Sequence, residues 1–165
     1  MNRCSMINGL SVWVRAVWAR AIVAMLAAIL VFLFAISAWA EMLTVRVKTA
    51  NFREAPTESA AILFTADRHY PVKVVERKRG WVKVKDFEGE IAWIAERLLA
   101  RNKGVVIIVE KATLRAKPED NAASVAVAAW SDSFAVKQVR AEWVLVESAG
   151  VEGWVRRSVV WGLDP

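Results

Sequence analysis

The stretch Gly80-Trp-Val-Lys-Val-Lys-Asp-Phe-Glu-Gly-Glu-Ile-Ala-Trp-Ile94 decides the fold of this chain. Val82 and Val84 alternate with lysines, which is the period-two pattern of a strand that has one buried face. The Glu-Gly pair at 88–89 supplies a turn, because glycine takes the positive φ that tight hairpins need. The stretch therefore predicts a β-hairpin with one tryptophan in each arm.

The same pattern occurs a second time, from Trp143 to Val155. The two copies align at an offset of 62 residues up to the hairpin tip and of 61 residues beyond it. The aligned pairs are Phe52/Leu114, Arg53/Arg115, Pro56/Pro118, Val72/Phe134, Val74/Val136, Trp81/Trp143 and Trp93/Trp154. Self-similarity of this kind predicts a tandem repeat of two units, each of about sixty residues.

Each unit contains five short strand signals at close spacing and no long helical pattern. This pattern predicts an all-β chain made of two tandem small β-barrels. We place the first barrel at residues 41–100, a linker at 101–104 and the second barrel at 105–165. Because the linker is so short, we expect the barrels to touch and to share an interface.

The first forty residues differ from the rest in composition. They carry Arg3, Arg15 and Arg20, no acidic residue, and an apolar run that ends in Ser-Ala-Trp-Ala40. These features predict a secretory signal peptide cleaved after Ala40. The alternative is an uncleaved membrane anchor, because residues 21–40 have no charge and suffice to span a bilayer as a helix. Both interpretations export the remainder to the periplasm or cell envelope, with possible membrane association through residues 21–40.

The order Phe/Leu-Arg-x-x-Pro, apolar strand, alternating valines, Trp-Val-x-Val and Gly-x-x-x-Trp-Ile/Val resembles the bacterial SH3 (SH3b-like) domain family. The resemblance covers nearly all of residues 44–161, twice. It implies small barrels of five to seven strands that bind rather than catalyse, with peptidoglycan or a peptide as ligand. The chain departs from the family at Ala55-Pro56 and Lys117-Pro118, where relatives usually have Gly-Pro.

Few residues suited to catalysis follow residue 40. The only cysteine, Cys4, precedes this part of the chain, and the only histidine, His69, falls in a predicted loop. A nucleophile needs a base and an orienting group, and a zinc site needs three or four ligands. We therefore predict that the protein is not an enzyme and that it binds no cofactor and no metal.

The positive charge is concentrated in the first unit. Residues 44–103 carry 13 basic and 8 acidic residues, whereas residues 104–165 carry 7 and 8. A candidate basic patch surrounds the predicted hairpin and consists of Arg77, Lys78, Arg79, Lys83 and Lys85. The patch fits either a solvated turn or a surface that contacts anionic lipid headgroups or cell-wall polymers. Export argues against nucleic acid as the partner.

The aromatic residues supply the candidate ligand-binding positions. Trp81 and Trp143 each begin a strand after a polar turn, where a tryptophan often presents one face to a peptide ligand. Tyr70 and Phe134 are expected to flank the same turn and complete a groove. Trp130 stands where the first unit has Arg68, so it marks either the interface between the units or a ligand site. Trp93 and Trp154 are expected to be structural.

Two functions are consistent with these observations. The first is an exported, non-catalytic binding module of the cell envelope that holds peptide or peptidoglycan through aromatic grooves. The second is a structural or scaffolding envelope protein that docks onto another protein. An apolar interface fused between the two units would favour the second function.

Overall fold

The computed structural model describes residues 41–163, so the predicted signal peptide or anchor in residues 1–40 lies outside the described range. The described residues belong to one compact unit and form two seven-stranded antiparallel sheets. Their only helices are single 3-10 turns at Glu96–Leu98 and Arg157–Val159. Between residues 41 and 163, neither helix has the length to cross a membrane. The prediction of an all-β tandem repeat is confirmed.

The two sheets have the same topology. The strands of the first are β1 (Met42–Val45), β2 (Thr49–Arg53), β3 (Ile62–Asp67), β4 (Pro71–Lys78), β5 (Trp81–Lys85), β6 (Ile91–Ala95) and β7 (Leu99–Ala100). The strands of the second are β8 (Gly104–Ile107), β9 (Lys111–Arg115), β10 (Ser124–Ala129), β11 (Ser133–Arg140), β12 (Trp143–Ser148), β13 (Val151–Arg156) and β14 (Val160–Trp161). The orders are β3-β2-β6-β5-β4-β1-β7 and β10-β9-β13-β12-β11-β8-β14. The second barrel thus begins at Gly104, the last residue of the predicted linker.

The valines that alternate in the sequence form the cores. Val82 and Val84 of β5 are buried beside Phe52 of β2, while Lys83 and Lys85 point outward. Val144 and Val146 of β12 occupy the same positions in the second core. Every strand pairs within residues 42–161, and both cores are built from the described residues. The predicted cleavage after Ala40 would therefore leave both described sheets and both described cores in one piece.

The two barrels touch, as the short linker predicts, and they share apolar packing. Val106 of β8 is fully buried and packs into the core of the first barrel, and Trp161 of β14 packs against the same core. Gly162 has φ 112°, and a Cβ at this position would lie 2.7 Å from the ring of Pro71. The hydroxyl of Ser133 donates a hydrogen bond to the carbonyl oxygen of Arg68, at 3.0 Å. The interface is therefore continuous with the first core.

The two barrels differ at the tip of the central hairpin. In the first barrel a five-residue connection, 86–90, replaces the tight Glu-Gly turn that the sequence suggests. Asp86 holds it open, because its buried carboxylate accepts hydrogen bonds from the backbone N–H groups of Glu88 and Glu90, at 3.0 and 2.8 Å. In the second barrel Ala149 and Gly150 form a two-residue turn with φ of 52° and 82°, as in a type I′ hairpin.

Candidate functional site

The structure divides the predicted site residues between two surfaces. At the turn end of the β4–β5 hairpin, Lys78 pairs with Trp81, whereas Tyr70 lies at the other end, just before Pro71. In the second barrel Arg140 pairs with Trp143, and Phe134 again lies at the opposite end of its hairpin. The prediction that Tyr70 and Phe134 flank the same turn as the two tryptophans is therefore wrong. Antiparallel pairing puts the starts of two successive strands at opposite ends of the hairpin.

The first surface is the outward face of β4, β5 and β6. Cross-strand partners point to the same side of a sheet, so the register defines three rows. These rows are Lys73–Lys85–Ile91, Glu76–Lys83–Trp93 and Lys78–Trp81–Ala95. Lys73, Lys78, Lys83 and Lys85 of these rows, with Arg79 in the turn, form what we call the basic face. Of these cations, Lys78 lies in the same row as the half-buried Trp81, and Lys83 lies in the next row. Lys73 was not among the predicted residues, although its position opposite Lys85 requires only the hairpin register.

Arg77 belongs to the predicted basic patch but is already paired. Its guanidinium donates to the carboxylate of Glu41, with Nη2 2.7 Å from Oε2, and also to the carboxylate of Glu96. The hydrogen bond from Arg77 lowers the pKa of Glu41, and the same contact raises the pKa of Arg77. Among residues 41–163, by contrast, no carboxylate lies within salt-bridge distance of any cation of the basic face.

Trp143 occupies the position of Trp81 in the second barrel, but its ring is covered. Its ladder partner is Arg156, whose guanidinium carbon lies 4.5 Å from the ring centroid. Asp120 holds that guanidinium in place, with Oδ1 3.1 Å from Nε. Trp143 is only 8% exposed as a result. Trp81 has Ala95 as its partner instead, so its ring has no comparable cover.

Trp93 and Trp154 are both 8% exposed, a burial that agrees with the structural role expected for them. They lie on the outward side of their sheets and outside the two core clusters. A cation covers each ring: Nζ of Lys83 lies 5.7 Å from the Trp93 centroid, and the guanidinium carbon of Arg140 lies 5.7 Å from the Trp154 centroid. These tryptophans are therefore packed under long basic side chains rather than in the barrel interiors.

The second surface is an open cleft of about 1440 Å³ between the two barrels, which we call the inter-barrel cleft. Its walls come from β3 and β10, from the loops that follow these strands, and from the tips of both central hairpins. Tyr70, Phe134 and His69 line it. Two predicted site residues, Tyr70 and Phe134, thus lie at this cleft and away from Trp81.

A row of aromatic rings leads from the first core to the second barrel. Phe64 stacks on Phe52 at 4.5 Å, and Phe52 meets Tyr70 edge-on at 6.2 Å. Phe87 lies 6.1 Å from Tyr70 and 5.5 Å from Trp130, with both pairs edge-on. Trp130 therefore marks the interface between the units, which is one of its two predicted roles. The Trp130 residue is 48% exposed, and it directly precedes Ser131 and Asp132 of the cleft wall.

Phe87 is the interface residue that sequence reasoning missed. It belongs to the five-residue tip, for which the second barrel has only a two-residue turn. Trp130 likewise replaces an arginine of the first repeat. Two positions at which the repeats differ, Phe87 and Trp130, therefore contact each other across the interface. The alignment of the two repeats already shows that the tips differ in length, and this difference could have directed attention to Phe87.

The polar groups of the cleft are mainly acidic. Its carboxylates are Asp67, Asp86, Glu88, Glu90, Asp132 and Glu147, against the cations Lys48 and Arg68. The hydroxyl of Tyr70 donates to Oδ2 of Asp86 at 3.3 Å. Burial, with the nearby Asp86 carboxylate, raises the pKa of Tyr70 well above its ordinary value, so the phenol stays protonated. Burial, followed by the charge of Arg68, lowers the pKa of His69, which is therefore neutral at pH 7.

The described residues offer no metal site, since no group of three or more histidine, cysteine or carboxylate side chains within 41–163 is placed to hold an ion. The buried Asp86 is satisfied by two backbone N–H groups and a phenol. The absence of enzymatic activity stays a prediction.

Comparisons with known proteins agree with the repeat. A family model described as "Bacterial SH3 domain" matches residues 48–100, and a second model with the same description matches residues 109–162. No curated protein matches the chain.

Among solved structures, NlpC1 from Trichomonas vaginalis is similar with 13% identity and a TM-score of 0.35, over 76% of this chain and 48% of that one. An NlpC/P60 family protein from Bacillus cereus ATCC 10987 is 17% identical with a TM-score of 0.35, over 73% of this chain and 55% of that one. The chain thus spans about half the length of these structures.

Proposed function

Because the chain belongs to the bacterial SH3 domain family, whose domains are generally binding modules, we propose that it is an exported, non-catalytic binding protein of the cell envelope. Its ligand is a peptide, or the peptide part of peptidoglycan, held in the inter-barrel cleft. The observation that carries this proposal is a cleft whose walls come from both repeats. Export rests on the sequence of residues 1–40.

The size and edges of the cleft suit an extended chain. Small-molecule sites usually measure about 300–1,000 Å³, and this cleft of about 1440 Å³ is larger. The strands β3 and β10 are the edge strands of their sheets, and both line the cleft. A peptide can add to such an edge through main-chain hydrogen bonds, with its alternate side chains on the strand surface.

The side chains along these edges supply apolar contacts and negative charge. Leu63 of β3 and Val127 of β10 are 52% and 63% exposed, and both line the cleft. Trp130 does not line the cleft itself, but it is 48% exposed and directly precedes the cleft residues Ser131 and Asp132, so a ligand that extends beyond the cleft could reach its ring. The excess of carboxylates favours a ligand with free amino groups.

Sedimentation of residues 41–165 with purified peptidoglycan sacculi tests the proposal. We expect Leu63→Glu and Val127→Glu each to weaken binding by roughly 10-fold or more, because a buried unpaired charge costs binding energy. Both positions are exposed, so the fold should be little affected, as circular dichroism can verify. Ile108→Glu is the matched control, since Ile108 is an exposed apolar residue that does not line the cleft.

Two results would refute a cleft ligand of this kind. One is that the folded protein stays in the supernatant with sacculi and also fails to bind soluble wall peptides. The other is that Ile108→Glu weakens binding as much as the two cleft substitutions do.

The fused interface supports a second candidate function, that of a scaffold which docks onto another envelope protein. Val106 and Trp161 of the second barrel pack against the core of the first, and a fused apolar interface is the feature expected of such a protein. Crosslinking in cells distinguishes the two functions. Recovery of one specific protein partner, with no wall fragments, would favour the scaffold.

A further inference from the structure

We propose that the basic face of the first barrel docks onto an anionic membrane surface through lipid headgroups. This surface is the outward side of the β4–β5 hairpin. Lys78, Arg79 and Trp81 lie at its turn end, whereas Lys73 and Lys85 lie at the other end, next to the cleft residue Asp86. The inference goes beyond the proposed function and does not depend on it. It concerns how the protein is held in the envelope, while the cleft concerns what it binds there.

The charge of the basic face is not balanced within the barrel. Its five cations face a single carboxylate in the same rows, that of Glu76. Lys73 and Lys85 are direct cross-strand partners, an arrangement that destabilises a sheet. Like charges opposed in this way, with no acidic partner among the described residues, favour an anionic partner outside the chain.

The fold itself does not require these lysines. In the second barrel the partners at the same ladder position are Ala135 and Glu147, and Glu147 pairs with Lys137 at 3.7 Å. The same strands with the same register are thus built there with a balanced surface. The first barrel therefore does not need these lysines in order to fold, and their role lies at its surface.

The start of the described chain favours a membrane over a soluble polymer as the partner. Met42 pairs with Lys73 in antiparallel register, so the N-terminal end of β1 is directed toward the β4–β5 turn. Glu41 is fixed there by Arg77. In the sequence the twenty residues before Glu41 carry no charge. In the alternative in which residues 21–40 are kept as an anchor, the turn end of the basic face is therefore tethered near the bilayer, whose anionic headgroups attract lysine and arginine side chains.

Trp81 adds a second feature suited to a headgroup layer. Its half-buried ring lies in one row with Lys78 and is flanked along β5 by Lys83. An indole has an apolar body and a polar N–H, and tryptophan is enriched at the level of lipid headgroups. Trp81, Lys78 and Arg79 lie at the end of the hairpin opposite the cleft, so contact through these residues leaves the cleft open to its ligand.

Flotation of residues 41–165 with lipid vesicles tests the inference. The probes are vesicles of phosphatidylglycerol with phosphatidylethanolamine, and vesicles of phosphatidylcholine alone. We expect binding to the anionic vesicles only, and we expect added salt to weaken it. The variant with Lys73→Gln, Lys78→Gln, Lys83→Gln and Lys85→Gln should lose roughly 100-fold or more in partition coefficient.

The matched control removes the same charge from exposed positions of the second barrel: Lys111→Gln, Lys117→Gln, Lys137→Gln and Arg157→Gln. We expect this control to lose less than about 3-fold, because these residues lie off the basic face. Equal losses in the two variants would overturn the inference, since net charge alone would then explain binding. Binding of the unchanged protein to vesicles of phosphatidylcholine alone would also overturn it. So would a result in which the variant without the four lysines loses binding to sacculi but keeps binding to anionic vesicles.

Discussion

The two barrels share their strand order and register, yet their equivalent surfaces carry different chemistry. The row Lys73–Lys85–Ile91 in the first barrel corresponds to Ala135–Glu147–Glu152 in the second. Trp81 is half-buried and pairs with Ala95, whereas the ring of Trp143 lies under its ladder partner Arg156 and is buried. The inward valines of both hairpins, in contrast, are equally buried. After duplication, therefore, the inward positions keep the fold and the outward positions are free to acquire separate roles.

The largest expected difference between the barrels concerns these two tryptophans. Trp143→Ala should lower the free energy of unfolding of the second barrel by about 3–5 kcal/mol, because the ring is buried. Trp81→Ala should cost the first barrel only about 1–2 kcal/mol, since its ring is half-buried. Urea denaturation followed by hydrogen exchange reports each sheet separately. Equal losses would mean that the cover provided by Arg156 does not distinguish the two sites.

The next largest effect is expected where the central strands differ by one methyl group. A Cβ at Gly153 would lie 2.8 Å from the Cβ of Leu114, whereas the first barrel has Ala92 at this position. Gly153→Ala should therefore destabilise the second barrel by about 1–3 kcal/mol through overpacking. The reverse change, Ala92→Gly, should destabilise the first by about 1 kcal/mol. Calorimetry of both variants tests this, and an unchanged melting temperature for Gly153→Ala would contradict it.

The contact between Phe87 and Trp130 tests whether the divergent positions act together. A double-mutant cycle with Phe87→Ala and Trp130→Ala should give a coupling of about 0.5–1.5 kcal/mol, because the rings pack edge-on. The control cycle combines Phe87→Ala with Ile108→Ala and should give a coupling near zero. If the two cycles agree within error, the rings do not couple the barrels energetically.

The smallest expected effect is a pH dependence limited to the first barrel. His69 has φ 74° and a lowered pKa, and its counterpart Ser131 has φ 70° but no titrating group. Below about pH 6.5 the unfolded chain gains the proton first, so stability should fall with pH down to the folded pKa and then level off. Hydrogen exchange in the first sheet should show this fall, and His69→Asn, which tolerates positive φ, should remove it. A fall that persists in His69→Asn would assign it to another group.

Each unit gave five strand signals where its sheet has seven strands, but the repeat and the alternation of the hairpin strands are contained in the sequence. These features are local or periodic, so they can be read without coordinates. The five-residue tip was harder to predict, because Glu88-Gly89 by itself indicates a tight turn. The contact of Asp86 with the hydroxyl of Tyr70, 16 residues earlier in the chain, cannot be read from the local sequence. The covering of Trp143 was accessible in principle, since the alignment already places Arg156 opposite Ala95.

The separation of Tyr70 from Trp81 shows a different limit. Both residues border strands of one hairpin, so their nearness in sequence suggested one groove. Their distance follows from the length of β4, which runs for 8 residues before the turn. Strand boundaries are the least reliable part of a sequence-based assignment, and a groove that depends on them shares that weakness.

Val106 belongs to the second repeat but is buried in the core of the first barrel. The single repeat is therefore the unit that was duplicated, whereas the pair of barrels is the unit that folds. A cut in the connection at residues 101–103 would give two pieces that each match a family model, but the first would lack an interior side chain. Its exposed apolar surface would make it prone to self-association. A single barrel of this chain is therefore not an independent module, and fusion to another protein would require both barrels.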